Sequence, residues 1–124
     1  FQGTNCRALG MESGFILDSQ ITASTEYNSA HAAWYGRLNF REGSGICGCW
    51  AARPRNNHQW FQVDFVRTVS LGKVATQGRD SQQHPMWLTS YSLSHSLNGI
   101  DFALYQPNGS PKVNASRLPF ASYI

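Results

Sequence analysis

The stretch Gln59-Trp60-Phe61-Gln62-Val63-Asp64-Phe65 decides the fold. Phe61, Val63 and Phe65 alternate with Gln62 and Asp64, a period of two that puts the apolar side chains on one face of a half-buried strand. Ser90-Tyr91-Ser92-Leu93-Ser94-His95-Ser96 repeats the pattern, with Tyr91, Leu93 and His95 on one side and serines on the other. Asn98-Gly99 follows, a dipeptide suited to the positive backbone angles of a tight turn, and then Phe102-Ala103-Leu104-Tyr105. That order predicts a hairpin. Further short strands are expected over residues 20–23, 35–39, 69–76 and 120–124. The segments between them (42–48, 54–58, 78–85 and 106–111) are rich in Gly, Ser, Asn and Pro. Residues 25–34 carry no sustained apolar stripe and precede Gly36, so they predict no more than a turn of helix. Many short strands with such loops predict an all-β protein, an antiparallel β-sandwich or jelly roll.

A chain of 124 residues is long enough for one domain with a single core, spanning residues 1–124. Hydrophobic residues at 41% and aromatics at 13% supply that core. Charged residues are only 14%, against about a quarter in ordinary soluble domains, so the surface relies on Ser, Thr, Asn and Gln, a mix common on secreted β proteins. The net charge of +3 comes without a basic run, which argues against nucleic acid and leaves contact with an anionic surface open. No stretch nears the roughly 18 consecutive apolar residues of a membrane span. Phe1-Gln2-Gly3-Thr4-Asn5 lacks the basic start and apolar segment of a signal peptide, so a secreted protein is expected here in processed form.

Cys6, Cys47 and Cys49 form an odd set, which leaves at least one thiol without an intrachain partner. Cys47 and Cys49, one residue apart, are poorly placed to bridge each other. Zinc would need a fourth ligand and a different spacing, so no metal site is expected. The sequons Asn108-Gly109-Ser110 and Asn114-Ala115-Ser116 make Asn108 and Asn114 glycosylation candidates and fit secretion.

Four segments in order resemble the discoidin family, the coagulation factor V/VIII type C domains with a galactose-binding-like fold. Leu9-Gly10-Met11-Glu12-Ser13-Gly14, continuing to Gln20-Ile21-Thr22-Ala23-Ser24, resembles the family's opening signature. Gly36-Arg37-Leu38-Asn39 is similar to its "ARLN" element, and residues 59–65 to "QWLQVDL". Thr76-Gln77-Gly78-Arg79, then Trp87-Leu88-Thr89-Ser90-Tyr91, resemble "TQGR…WVTSY". The resemblance covers residues 6 to about 106. It implies a jelly-roll sandwich, extracellular adhesion or recognition, and no catalysis. Arg37 and Asp64 are opposite charges on neighbouring signature segments and are expected to pair. Glu12 and Arg79 are expected to serve the scaffold, Trp60 to bury its ring in a central strand, and Trp34, Trp50 and Trp87 to pack in the core or at loop bases. His95 is expected to pack within its strand.

The sequence stops where the family's closing strand would begin, so the domain reads as C-terminally incomplete, and the family partner of Cys6 would lie in the missing tail. Three readings compete: a partial chain, a divergent short form, or a strand supplied by a neighbouring chain. The last predicts a homo-oligomer, because an unpaired sheet edge invites pairing. Family members also occur as tiles of larger mosaic proteins.

In this family the ligand surface is built from loops at one end. By motif position these are residues 26–31, contributing Tyr27, Asn28, Ser29 and His31; residues 41–46, contributing Glu42 and Ile46; and residues 79–86, contributing Arg79, Asp80, Gln82, Gln83, His84 and Met86. Members that enter phosphatidylserine membranes carry bulky apolar tips above basic residues, as interfacial insertion requires. Here Tyr27, Ile46 and Met86 are a thin wedge among polar side chains. The set suits hydrogen bonding to a cell-surface glycan or protein, with Tyr27 free to stack; anionic phospholipid is the alternative. His31 and His84 within these loops open the way to a pH-sensitive contact. No G-x-S-x-G, H-E-x-x-H or P-loop is present, so no enzyme is expected. No cofactor is expected; related sandwiches admit a structural Ca²⁺, but Asp18, Ser19 and Asp80 form no recognisable acidic loop.

Overall fold

A computed structural model describes residues 6–79, 81–106 and 109, together with the backbone of 112–114. The deciding stretch folds as expected: strand β2 (Phe61–Val63) lies antiparallel to β1 (Ile21–Ala23), with Ile21 opposite Val63 and Ala23 opposite Phe61. Opposed residues share a sheet face, so these four side chains form one apolar surface. Asp64 N–H donates to the Gln20 carbonyl at 2.8 Å and Ser24 N–H to the Trp60 carbonyl at 3.0 Å, continuing the ladder past both ends of the strands. Ile16, Ile21 and Ala33 form the buried centre, and Met11, Ala23, Trp50, Phe61, Val63 and Phe65 pack against it. Trp50 lies 5.4 Å from the Phe61 ring and donates its indole N–H to the Thr25 carbonyl at 2.9 Å.

The approach to this sheet is a turn that only glycine accommodates. Gly10 has φ +113°, and a Cβ there would stand 2.4 Å from Phe15 Cβ. Its carbonyl accepts N–H groups from Gly14 and Ile16 at 3.1 and 3.2 Å. Arg37 fastens this turn from across the core, donating to the carbonyls of Met11 (3.0 Å) and Ile16 (2.7 Å) and to the Asp18 carboxylate (2.6 Å). Arg37 therefore pairs with Asp18 and not with Asp64, whose carboxylate accepts the Val66 N–H at 2.7 Å. The planar guanidinium can serve three acceptors at once, and the turn offers two carbonyls beside a carboxylate. Glu12 accepts from the Asn39 amide at 2.9 Å, a scaffold contact as expected.

The second half carries β3 (Ser90–Ser92), β4 (Ser94–His95), β5 (Ala103–Leu104) and β6 (Lys112–Asn114). The expected hairpin is present, β4 pairing antiparallel with β5. Its turn is built by side chains: Asn98 Oδ1 accepts from the N–H groups of Ile100 and Asp101, both at 2.9 Å, and Ser96 Oγ accepts from Gly99 N–H at 2.9 Å. Residues 90–96, read as one strand, divide at Leu93 because β3 pairs elsewhere, with β6. Tyr91 and Leu93 are half-buried and Ser90, Ser92 and Ser94 exposed, but His95 is exposed rather than packed.

Other expectations change in detail. Residues 35–39 form no strand; one-turn 3₁₀ helices at Ser29–His31 and Ala33–Tyr35 occupy the approach, and Gly36 follows. Gly36 leaves room for Phe61, whose ring would lie 2.7 Å from a Cβ there. Residues 69–76 form no strand either. Trp60 is 50% exposed and does not bury its ring, because it points to the face opposite Phe61. Trp34 and Trp87 are also partly exposed, leaving Trp50 as the tryptophan packed on the buried centre. The expected strand at 120–124 lies outside the described residues. Among the described residues the chain is thus non-helical apart from single 3₁₀ turns, and its strands pair antiparallel in three two-stranded sheets.

Candidate recognition surface

Residues 26–31, 41–48 and 79–86, far apart in sequence, are tied into one cluster. In the first segment Asn28 caps the short helix, its Oδ1 accepting the Ala30 N–H at 3.0 Å. The same oxygen meets His31 Nδ1 at 2.7 Å. An atom that already accepts an amide N–H is the carbonyl oxygen, so Nδ1 carries the proton and donates. Tyr27 N–H donates to the Ala51 carbonyl at 2.7 Å. Its ring stands edge-to-face with His31 (centroids 5.3 Å, planes at 78°), and the Arg53 guanidinium lies 5.9 Å from its centroid.

The second segment closes on itself through Gly43 and Ile46, which exchange backbone hydrogen bonds of 3.0 and 3.2 Å. Cys47 N–H donates to the Ala30 carbonyl at 3.0 Å, joining this segment to the first. The third is pinched by an Arg79–Met86 bridge, with Arg79 N–H donating to the Met86 carbonyl at 2.7 Å. Ser81 is buried, and its hydroxyl accepts the His84 N–H at 3.2 Å. Arg79 joins this segment to the second by donating to the Glu42 carboxylate at 3.0 Å.

The expected loop residues separate into two groups. Tyr27, Asn28, Ser29, Glu42, Gln82, Gln83 and His84 are exposed. Ile46, Arg79 and Met86 are half-buried, because each takes part in a bridge that closes its loop. His31 is buried, at 8% exposure. Asp80 and Asn108 lie outside the described residues; Asn114 stands in β6 opposite Ser90.

Arg79 is a buried charge within this cluster. The Arg79 side chain is 10% exposed, and its buried Nε has no hydrogen-bond partner among the described residues. Burial lowers the His31 pKa, and the Arg79 cation lowers it further. Burial raises the pKa of the Cys49 thiol, with Arg79 opposing and Cys47 and Glu42 reinforcing the rise. Cys6, Cys47 and Cys49 are free thiols. Among the described residues no three His, Cys, Asp or Glu side chains gather to hold a metal ion. Also among them, no helix is long and apolar enough to cross a membrane. Sequence reasoning missed the support that Arg53 gives Tyr27. The burial of His31 had a local signal, since Asn three residues before His suits a side-chain cap that folds the ring back.

Antiparallel short strands joined by linked polar loops define this as a β-domain. The F5/8 type C domain model matches residues 20–120, and the chain belongs to that family. It is 32% identical over 113 residues to lactadherin of Rattus norvegicus, covering 89% of this chain and 26% of that protein. It is 36% identical over 108 residues to human coagulation factor VIII, covering 85% of this chain and 4% of that protein. Bovine coagulation factor V is 36% identical over 110 residues, with 82% and 5% covered. The chain therefore spans about a quarter or less of these relatives.

Proposed function

We propose that this chain is a secreted, non-catalytic recognition module, one tile of a larger mosaic protein, on the antiparallel sandwich of its family. It binds a cell-surface glycan or protein through the linked loops. The observation that carries this reading is Tyr27: the residue is 47% exposed, yet its ring is held from the side by His31 and approached by Arg53. An aromatic ring fixed in advance offers stacking area at little entropic cost. Asn28, Ser29, Gln82 and Gln83 supply donors and acceptors in the same cluster. Of the apolar loop residues expected to form a membrane wedge, Ile46 and Met86 are half-buried, which weakens the case for insertion.

Anionic phospholipid is the second reading, favoured by the net charge of +3 and by the exposed Arg41 and Arg53. A glycan array and a cell-binding assay test the first reading. Tyr27→Ala should weaken binding by roughly 2 kcal/mol, the scale of an aromatic hot spot, and Gln83→Ala by less. Absence of binding to any glycan or cell surface, with pelleting on phosphatidylserine liposomes, would replace it by the second.

A further inference from the structure

His31 is buried within this cluster, and its ring stands edge-to-face with Tyr27, over whose ring the Arg53 guanidinium lies. Its Nδ1–H is committed to Asn28 Oδ1, and its carbonyl accepts the Ala51 N–H at 3.5 Å. The charged and titratable groups of the described parts of these segments are Glu26 and Tyr27 on its own, Arg41, Glu42 and Cys47 on the second with Cys49 just beyond, and Arg79 and His84 on the third; of these the Arg79 cation acts on it, and Arg53 lies over the Tyr27 ring. The carboxylates that the first two segments describe already have partners: Glu42 with Arg79, and Glu26 with the Ala33 N–H at 2.8 Å. A second cation beside Arg79 would have no free counter-charge among them.

We propose that His31 is a pH-sensitive latch on the recognition surface: neutral, it holds Tyr27 in place for a polar ligand, and protonated, it withdraws that support and releases the ligand. The proposal rests on the reading of Tyr27 as a contact residue. Protonation adds a charge to a buried ring and gives Nε2 a hydrogen that needs an acceptor. The cheapest relief is for the ring to turn outward, which removes the edge against which Tyr27 stands. Because burial and Arg79 both disfavour the imidazolium, the latch is closed above the ordinary histidine value of 6.5 and opens only as the pH falls below it.

The test is NMR of the full chain from pH 8 to pH 4.5, with imidazole signals assigned by His31→Gln. Glutamine keeps an amide donor for Asn28 Oδ1 and cannot titrate. The expected result is a His31 titration below 6.5 that the Tyr27 ring signals follow on the same curve, and no such step in His31→Gln. Titration at or above that value, a Tyr27 ring indifferent to it, or collapse of the whole spectrum would overturn the latch. Fixed cultured cells are the probe for the second arm. Wild-type binding should fall about tenfold, or 1.4 kcal/mol, between pH 7.4 and 5.5, while the ratio for His31→Gln stays near one. Wild-type binding equal at both pH values sinks the latch. Binding that Tyr27→Ala leaves unchanged sinks the recognition reading, and the NMR result then stands apart from it.

Discussion

The Arg79 guanidinium donates to the Glu42 carboxylate at 3.0 Å while its own buried Nε has no hydrogen-bond partner among the described residues. The pair is lopsided, Arg79 being one-tenth exposed and Glu42 about half. A buried cation is therefore held by a carboxylate that water reaches, and this contact ties the second loop to the third.

Removing Glu42 leaves that cation without a counter-charge among the described residues. Glu42→Gln is expected to destabilise the protein by about 1–3 kcal/mol, the cost of a buried charged group losing its partner. Glu42→Gln combined with Arg79→Met should be less than additive, since methionine fills the space without a charge. Urea unfolding of the two single variants and the double variant measures the difference; strict additivity would show that the contact contributes nothing.

Gly48 carries φ +67°, and a Cβ there would stand 2.4 Å from the Glu42 backbone nitrogen. Gly45, with φ +72°, faces open space. Gly45→Ala should cost about 1–2 kcal/mol from backbone conformation alone. Gly48→Ala should cost about 3 kcal/mol, because backbone strain and overpacking add. Equal losses in thermal unfolding would contradict the close approach.

Arg37 serves two carbonyls and one carboxylate through a planar fork that lysine cannot reproduce. Arg37→Lys should destabilise by about 2–3 kcal/mol, leaving buried carbonyls short of a donor. Asp18 is 63% exposed, so Asp18→Asn should cost no more than about 1 kcal/mol. Chemical denaturation of both variants checks the ranking, and a larger loss from Asp18→Asn would refute it.

Cys49 should be slow to alkylate. Burial raises its pKa above the ordinary thiol value of 9.0 and outweighs the opposing Arg79 cation, so little thiolate forms at neutral pH. Cys6 is exposed and should be labelled first by iodoacetamide. A thiol whose folded pKa is raised contributes stability that is complete below its unfolded pKa and lost as pH rises through the folded one. Cys49→Ala should thus lessen the loss of stability at alkaline pH. Peptide mapping that finds Cys49 labelled as fast as Cys6 at pH 7 would sink the prediction.

The legible part of the fold was local. Alternation at Phe61, Val63 and Phe65 marked the face that now meets the core, and Asn98-Gly99 marked a turn that is present. The loop residues were legible as a set, but their exposure was not. Ile46 and Met86 look like free apolar tips until bridges to Gly43 and Arg79 turn them partly inward. Trp60 looked like a core residue because its size favours burial; its place in the strand put it on the face opposite Phe61.

By itself the sequence determined which residues could be strands, which side of them was apolar and where the chain could reverse, since side-chain period and backbone angle are properties of neighbouring residues. Only the tertiary structure decided that Arg37 takes Asp18, 19 residues away, or that Arg79 takes Glu42, 37 residues away. It also decided that the buried His31 ring stands edge-to-face with Tyr27. Several carboxylates were chemically equivalent partners for each arginine, and the choice among them depends on distance and dielectric after the chain has closed, which no local pattern encodes.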